Sequence, residues 1–164
     1  MAVELDVQCH SQTAPEEIVH GCHRIFKTRF HLKESQNIVL ENHSPDCFFL
    51  GIAPDARVLV MYHTVPEVVG YGEEELWANI DMTPYRTPQS FLLAAAIAIV
   101  LAEANKAKIL DEVGLLGLGQ GSVDPDRLQF AGYPGDFDQM AEAFARDRGV
   151  FQWKNRLRPP DHSS

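Results

Sequence analysis

Cysteine and histidine residues near the start of the chain are the first that could do chemistry. The group comprises Cys9, His10, His20, Cys22 and His23. Thiolate and imidazole groups are preferred zinc ligands, and a strand end can approach the following helix closely enough for three of them to meet. Helical spacing, however, places Cys22 on an apolar stripe with Ile18 and Ile25, and the nearby histidines beside that stripe. Because no CxxC or HExxH motif is present, we expect a core cysteine, surface histidines and no metal, with zinc as the alternative.

A thiol and an imidazole could also act together as nucleophile and base. Cys47 follows His43 closely, and His63 lies on a neighbouring predicted strand. A working pair needs hydrogen-bonding distance and an oxyanion donor, which proximity in sequence does not establish. We therefore expect a structural cysteine and keep a small hydrolase, using a Cys/His or carboxylate site, as the alternative function.

Three carboxylates flank the long apolar stretch in the second half of the chain. Asp81, Asp111 and Glu112 lie at the ends of segments on either side of it. They could cluster as a metal-binding or acid–base group. Carboxylates at strand ends more often face solvent or cap turns, which is the interpretation we prefer.

A glycine-rich run from Gly117 to Ser122 is similar in composition to phosphate-binding loops. It lacks the lysine of a P-loop and the full spacing of a dinucleotide fingerprint, and no clear helix pattern follows it. We predict a flexible loop and no cofactor.

The most suggestive segment runs from Pro66 to Tyr85 and contains no lysine or arginine. Its acidic residues are interspersed with aromatic ones: Glu67, Tyr71, Glu73, Glu74, Glu75, Trp77, Asp81 and Tyr85. Aromatic anchors surrounded by carboxylates are typical of a surface that recognises a basic protein. The alternative is a solvated loop whose aromatic rings pack into the core.

Composition and charge restrict the class of partner. The 164 residues carry a formal net charge of -9, which disfavours nucleic acid and anionic membranes as partners. Three scattered cysteines cannot form a disulfide framework, and the first residues lack the basic start and apolar run of a signal peptide. We expect a cytoplasmic protein with one domain over residues 1–158 and a frayed tail over 159–164.

The elements that position these residues indicate an α+β fold. Period-two alternation begins at Val3, and three further β-rich runs lie between Ile38 and Val65, separated by turn residues. A strand around Leu76–Met82 and a short one at Ile109 complete a largely antiparallel sheet of about five to six strands. The run from Val58 to Tyr62 is apolar on both faces, so we expect a central strand covered on both sides.

Helices are predicted on either side of the strands. An amphipathic helix follows Thr13, and short helices are expected near the C-terminus. The central helix begins after a Thr87 cap with Pro88 at its first position, and residues Phe91–Ala102 carry no polar side chain. Twelve apolar residues are fewer than a bilayer requires, so we expect a buried alanine-rich core helix.

The segment from Leu76 to Leu116 combines a strand, a capped alanine-rich helix and a strand ending in aspartate. In this pattern it loosely resembles small bacterial immunity proteins encoded beside polymorphic toxins, over about a quarter of the chain. The resemblance implies a cytoplasmic, non-catalytic protein that binds a cognate toxin domain and occludes its active site. Two other hypotheses remain: the hydrolase named above, and a subunit whose acidic face mediates self-association.

Overall fold

Seven strands form one antiparallel sheet in this computed structural model, which describes residues 3–27, 36–66, 74–83, 85–128, 130 and 135–148. The strands are β1 (Glu4–Cys9), β2 (Ile38–Ser44), β3 (Cys47–Ile52), β4 (Ala56–Pro66), β5 (Glu74–Asp81), β6 (Ile109–Asp111) and β7 (Gly121–Val123). Their spatial order is β2-β3-β4-β5-β1-β6-β7. The α+β class and the antiparallel sheet are confirmed, but the expected five to six strands are too few. The extra strand is β7, whose three residues begin within the predicted glycine loop and are too few to show alternation.

Among the described residues, three α-helices accompany the sheet: α1 (Pro15–Lys27), α2 (Pro88–Asn105) and α3 (Phe137–Asp147). One 3-10 turn, Pro125–Arg127, precedes α3, so the expected short C-terminal helices are one helix and one turn among the described residues. The predicted domain boundary at residue 158 lies outside the described residues.

The first strand occupies an inner position of the sheet because it pairs on both edges. On one side it is antiparallel to β5 in an unbroken register, from Glu4 opposite Asp81 to Cys9 opposite Leu76. On the other side it pairs with β6. The strands β2 to β5 form a meander, and β1 joins its far edge.

The helix α2 is the centre of the core. The Thr87 hydroxyl accepts the Ser90 N–H at 3.1 Å and donates to the carbonyl of Asp55, so the predicted cap also ties the helix to the β3–β4 turn. By length and a mean hydropathy of 1.4 the helix could cross a bilayer, yet 78% of it is buried within the fold. Side chains from the sheet, α1 and α3 surround it. The expected core helix is therefore confirmed.

The helices α1 and α3 pack against α2. Ile18, Cys22 and Phe26 form the buried stripe of α1, and the Phe26 ring contacts Phe137 of α3 at 5.6 Å between centroids. Helix α1 begins at Pro15, and the carbonyl of the preceding Ala14 accepts the Glu17 and Ile18 N–H groups. The expected cap, Thr13, instead contacts β4: its N–H donates to the Tyr62 hydroxyl at 3.0 Å.

Candidate functional site

One face of the sheet carries the core, and the other face has no helix on it among the described residues. Alternation along each strand divides the side chains between the two faces. The inward set is apolar and buried, for example Leu5, Val60 and Ile80. We call the outward surface the open face; its members are Glu4, Asp6, Gln8, Val39, Glu41, Cys47, Phe49, Arg57, Leu59, Met61, His63, Val65, Glu75, Trp77, Asn79, Asp81, Leu110 and Ser122.

The open face exposes large apolar side chains. Val39 is 53% exposed, Met61 40% and Val65 38%. The sequence predicted a cover on both faces of β4, and this is wrong for the described residues. Helices α1 and α3 pack around α2 on the core side, because α2 is apolar over almost its whole circumference and needs neighbours there. Leu59 and Met61 are consequently left on the uncovered side.

Carboxylates outnumber cations on the open face. Its strands carry five acidic side chains, Glu4, Asp6, Glu41, Glu75 and Asp81, against one arginine. That arginine, Arg57, already pairs with Glu41 at 2.9 Å and lies 4.1 Å from the centroid of the Phe49 ring. The other four carboxylates have no lysine or arginine partner within the described parts of the chain.

Two of these carboxylates face each other directly. Glu4 of β1 is opposite Asp81 of β5, and like charges at directly opposed positions destabilise a sheet. Asp81 accepts the Thr83 N–H at 2.8 Å, which fixes the start of the turn after β5. This surface therefore holds negative charge at some cost to the fold.

Asp6 is the next outward residue after Glu4 on β1, diagonal to Asp81, and is about half buried. Burial raises the pKa of its carboxyl, and this is the largest effect. The Asn79 amide donates to the carboxyl at 3.0 Å and lowers the pKa. The charges of Glu4 and Glu112 raise the pKa further, whereas His63 lowers it. The pKa is raised overall, so the folded protein disfavours the ionised form of this group.

Trp77 is the aromatic residue of this surface on β5. It lies between His63 of β4 and Gln8 of β1 in the register. Its indole Nε1–H donates to Glu75 Oε2 at 3.1 Å, which fixes the direction of the ring. The ring is partly exposed, so for Trp77 the alternative of an aromatic side chain packed into the core does not apply.

The predicted partner-binding residues separate into three groups. Glu75, Trp77 and Asp81 meet on the open face, as their i, i+2, i+6 spacing requires. Glu74 is exposed but belongs to the core side of β5, and Tyr85 lies beyond the strand on the connection to α2. The remaining three, Glu67, Tyr71 and Glu73, lie outside the described residues.

Sequence reasoning missed four residues of the site. Glu4 and Asp6 belong to it because β1 pairs with β5, and Leu59 and Met61 because β4 is uncovered on that side. Both facts had local signals, namely the acidic alternate positions of β1 and the apolar alternate positions of β4. Neither signal says which strands become neighbours.

The cysteine sites that were kept as alternatives do not assemble among the described residues. Cys47 is opposite Met61, so His63 is only its diagonal neighbour. Cys9 and Cys22 are buried; burial raises the pKa of Cys9 to about 11 and raises the pKa of Cys22 more strongly. A raised pKa leaves little thiolate, which is the reactive form.

The carboxylate and metal clusters that were weighed as alternatives do not assemble among the described residues either. Asp111 is fully buried on the core side, and its oxygens accept the Leu115 and Leu116 N–H groups at 2.9 and 2.8 Å. Asp81 lies on the opposite face of the sheet. Within the described ranges, no three His, Cys, Asp or Glu side chains lie close enough to hold a metal ion.

Replacing Asp6 with asparagine is expected to raise the melting temperature at pH 7 by a few degrees. Below the carboxyl pKa of the unfolded chain both states are protonated, and there is no penalty. As the pH rises, the unfolded chain ionises first, because the folded pKa is the higher one, and the folded state loses stability until the pH exceeds that value. The asparagine variant escapes this loss.

Thermal unfolding of Asp6→Asn at pH 3 and pH 7 tests this expectation. The gain should be present at pH 7 and absent near pH 3. The exposed α3 residue Asp147 provides a matched control, Asp147→Asn. An equal gain at both pH values, or an equal gain in the control, would contradict the assigned cause.

Comparisons with known proteins complete the description of the site. No family, curated protein or solved structure gives a significant match to this chain. Function is therefore argued from the open face itself.

Proposed function

We propose that this chain is a non-catalytic module that binds a basic protein through the open face. The observation that carries the proposal is the combination, on one uncovered sheet surface, of exposed apolar side chains and four carboxylates that have no lysine or arginine partner among the described residues. Exposed apolar patches with a polar surround mark interaction sites on soluble proteins. Trp77, the only tryptophan among the described residues, lies on this surface.

The apolar part of the open face supplies the anchor. Trp77 on β5 is diagonal to Met61, and Leu59 continues the same side of β4. Tryptophan is among the residues that carry most of the binding energy at protein interfaces, particularly when its surroundings exclude water. The hydrogen bond from Nε1 to Glu75 holds the ring before a partner arrives, which lowers the entropy lost on binding.

The carboxylates supply charge complementarity. Glu4 and Asp81 repel each other in the free protein, and a lysine or arginine placed between them would remove that repulsion. The half-buried Asp6 lies two register positions away, on the same face. The same charge opposes the pairing of two copies of this face, so a partner of different, basic composition fits better than self-association.

More specifically, we propose that the protein is an immunity protein that binds a basic toxin domain and occludes the active site of that toxin. Its support is the resemblance of the Leu76–Leu116 segment together with the acid excess of the open face. The partner class remains part of the proposal and is tested separately from the surface.

Binding to the product of the neighbouring gene tests the proposal. Isothermal titration calorimetry at low and high salt should show a complex that weakens as salt rises. Trp77→Ala is expected to weaken it by about 30-fold or more, equivalent to about 2 kcal/mol. Glu4→Lys should also weaken it, although the new lysine faces Asp81 and should not harm the fold.

A charge reversal on the far side of the molecule is the matched control. Glu142 is exposed on α3, so Glu142→Lys changes the net charge equally without touching the open face. A complex that Trp77→Ala and Glu4→Lys do not weaken would overturn the assignment of the surface. No complex with that product would remove the immunity form, and salt-dependent dimers on size-exclusion chromatography would favour self-association.

A further inference from the structure

A cleft of about 340 Å³ opens at the rim of the open face, where β1 extends past β6. The last residue of β1 paired with β6 is Val7, opposite Ile109, whereas β1 continues to Cys9. The connection from α2 to β6 bounds the gap, because Asn105 Oδ1 accepts the His10 N–H at 2.8 Å. The volume lies within the range of small-molecule sites, roughly 300–1,000 Å³.

The polar lining of the cleft is cationic or neutral. Its side chains include Gln8, His10, Trp77, Lys106, Lys108 and Ser122, and none of the described residues that line it is a carboxylate. The whole chain has five lysines, so two of them at one cleft is a local reversal of a net charge of -9. Lys108 Nζ is 3.9 Å from Asp124 Oδ1 with both side chains more than half exposed, a loose pair that leaves the ammonium group available.

Lys106 has an unusual backbone conformation. Its φ of 50° and ψ of 45° are left-handed, and all the other described residues with positive φ are glycines. A residue with a Cβ adopts this conformation with strain, whereas glycine does not. The helix end is closed by backbone groups, since Ala107 N–H donates to Ala102 O at 2.9 Å, and this cap needs no lysine side chain.

Trp77 provides an aromatic wall at the same cleft. Its ring is held by the hydrogen bond to Glu75 and can offer a flat surface for stacking. A fixed ring beside two ammonium groups matches a ligand with a planar ring and an anionic substituent.

We propose that this cleft binds a small aromatic anion, with its ring against Trp77 and its carboxylate or phosphate between Lys106 and Lys108. The cleft shares Trp77 with the proposed protein-binding surface, but a free small molecule tests it without the protein partner.

Tryptophan fluorescence measures such binding directly. The chain has two tryptophans, and Trp153→Phe leaves Trp77 as the only one. Titrations with adenosine monophosphate and with phenylacetate distinguish a phosphate from a carboxylate ligand, while adenosine and inorganic phosphate supply ring and anion separately. We expect saturable binding by at least one of the two anions, at least about tenfold tighter than by the matching fragments.

Two variants show whether the lysines bind the ligand or only shape the end of α2. Lys108→Gln should weaken binding about tenfold. Lys106→Gly should weaken it similarly while raising the melting temperature, because glycine removes the left-handed strain. Arg24→Gln, at an exposed position of α1, removes an equal charge elsewhere and should change neither quantity. Unchanged affinity in Lys106→Gly, or no saturation by either anion below about 10 mM, would show the proposal to be wrong.

Discussion

Asp111→Ala is expected to lower the free energy of unfolding by about 2–4 kcal/mol, a large part of the stability of a domain this size. Asp111 is fully buried, and its carboxylate accepts the Leu115 and Leu116 N–H groups. Alanine leaves both donors without a partner inside the protein, and each such donor costs about 1–3 kcal/mol. The two leucines they belong to are themselves fully buried, so the loop cannot turn its N–H groups to water without removing core side chains.

The ionisation of Asp111 moderates this loss without cancelling it. Burial raises the pKa of the Asp111 carboxyl, and the N–H groups of Leu116, Leu115 and Gly114 lower it in part. The charge therefore costs some folding free energy, which alanine removes. The unsatisfied donors and the cavity outweigh that gain.

Denaturant unfolding of Asp111→Ala, compared with that of Glu112→Ala, measures the loss of unfolding free energy. Glu112 is the exposed next residue, and its substitution should change stability by no more than about 0.5 kcal/mol. Asp111→Asn should fall between the two, because an amide keeps one acceptor but turns an NH₂ group towards a donor. Equal stabilities for the two alanine variants would show that the loop satisfies its N–H groups in another way.

Gly21→Val is expected to destabilise the fold by about 3 kcal/mol through the contact between α1 and α2. A Cβ added at Gly21 would lie 2.8 Å from both γ-carbons of Val100, closer than real carbon contacts allow. Both residues are buried where the helices touch, so neither can rotate its side chain into solvent. The two helices would have to separate, and the packing of α2 against the sheet would suffer as well.

A compensating change identifies this clash as the cause. Val100→Ala removes the two γ-carbons that the new side chain meets. The double variant Gly21→Val, Val100→Ala should recover at least about 1 kcal/mol relative to the sum of the single changes. Additive losses would place the cost at a contact other than Val100, because valine has a better helix propensity than glycine. Circular dichroism during urea unfolding provides all four free energies.

The placement of the functional candidates could be predicted only in part. The alternation of β5 placed Glu75, Trp77 and Asp81 on one face, and the structure confirms this grouping. The same segment suggested Glu74, but a one-residue step on a strand reaches the opposite face. Asp111 was expected either to face solvent or to cap a turn, and it accepts N–H groups of the turn that follows it, but its full burial was not expected. A loop that folds back onto a carboxylate has no periodic pattern to reveal it.

Local chemistry decided much of this protein by itself. Thr87 and Asp136 cap their helices because a side-chain oxygen reaches an N–H three residues on, and the apolar run of α2 requires burial on all sides. Tertiary structure alone decided that β1 joins β5, which places Glu4 opposite Asp81. It also decided that α1 crosses α2 at Gly21 and that one side of β4 stays open. The physical reason is range: caps and alternation depend on residues a few positions apart, whereas strand partners and helix crossings depend on how distant apolar surfaces share one core.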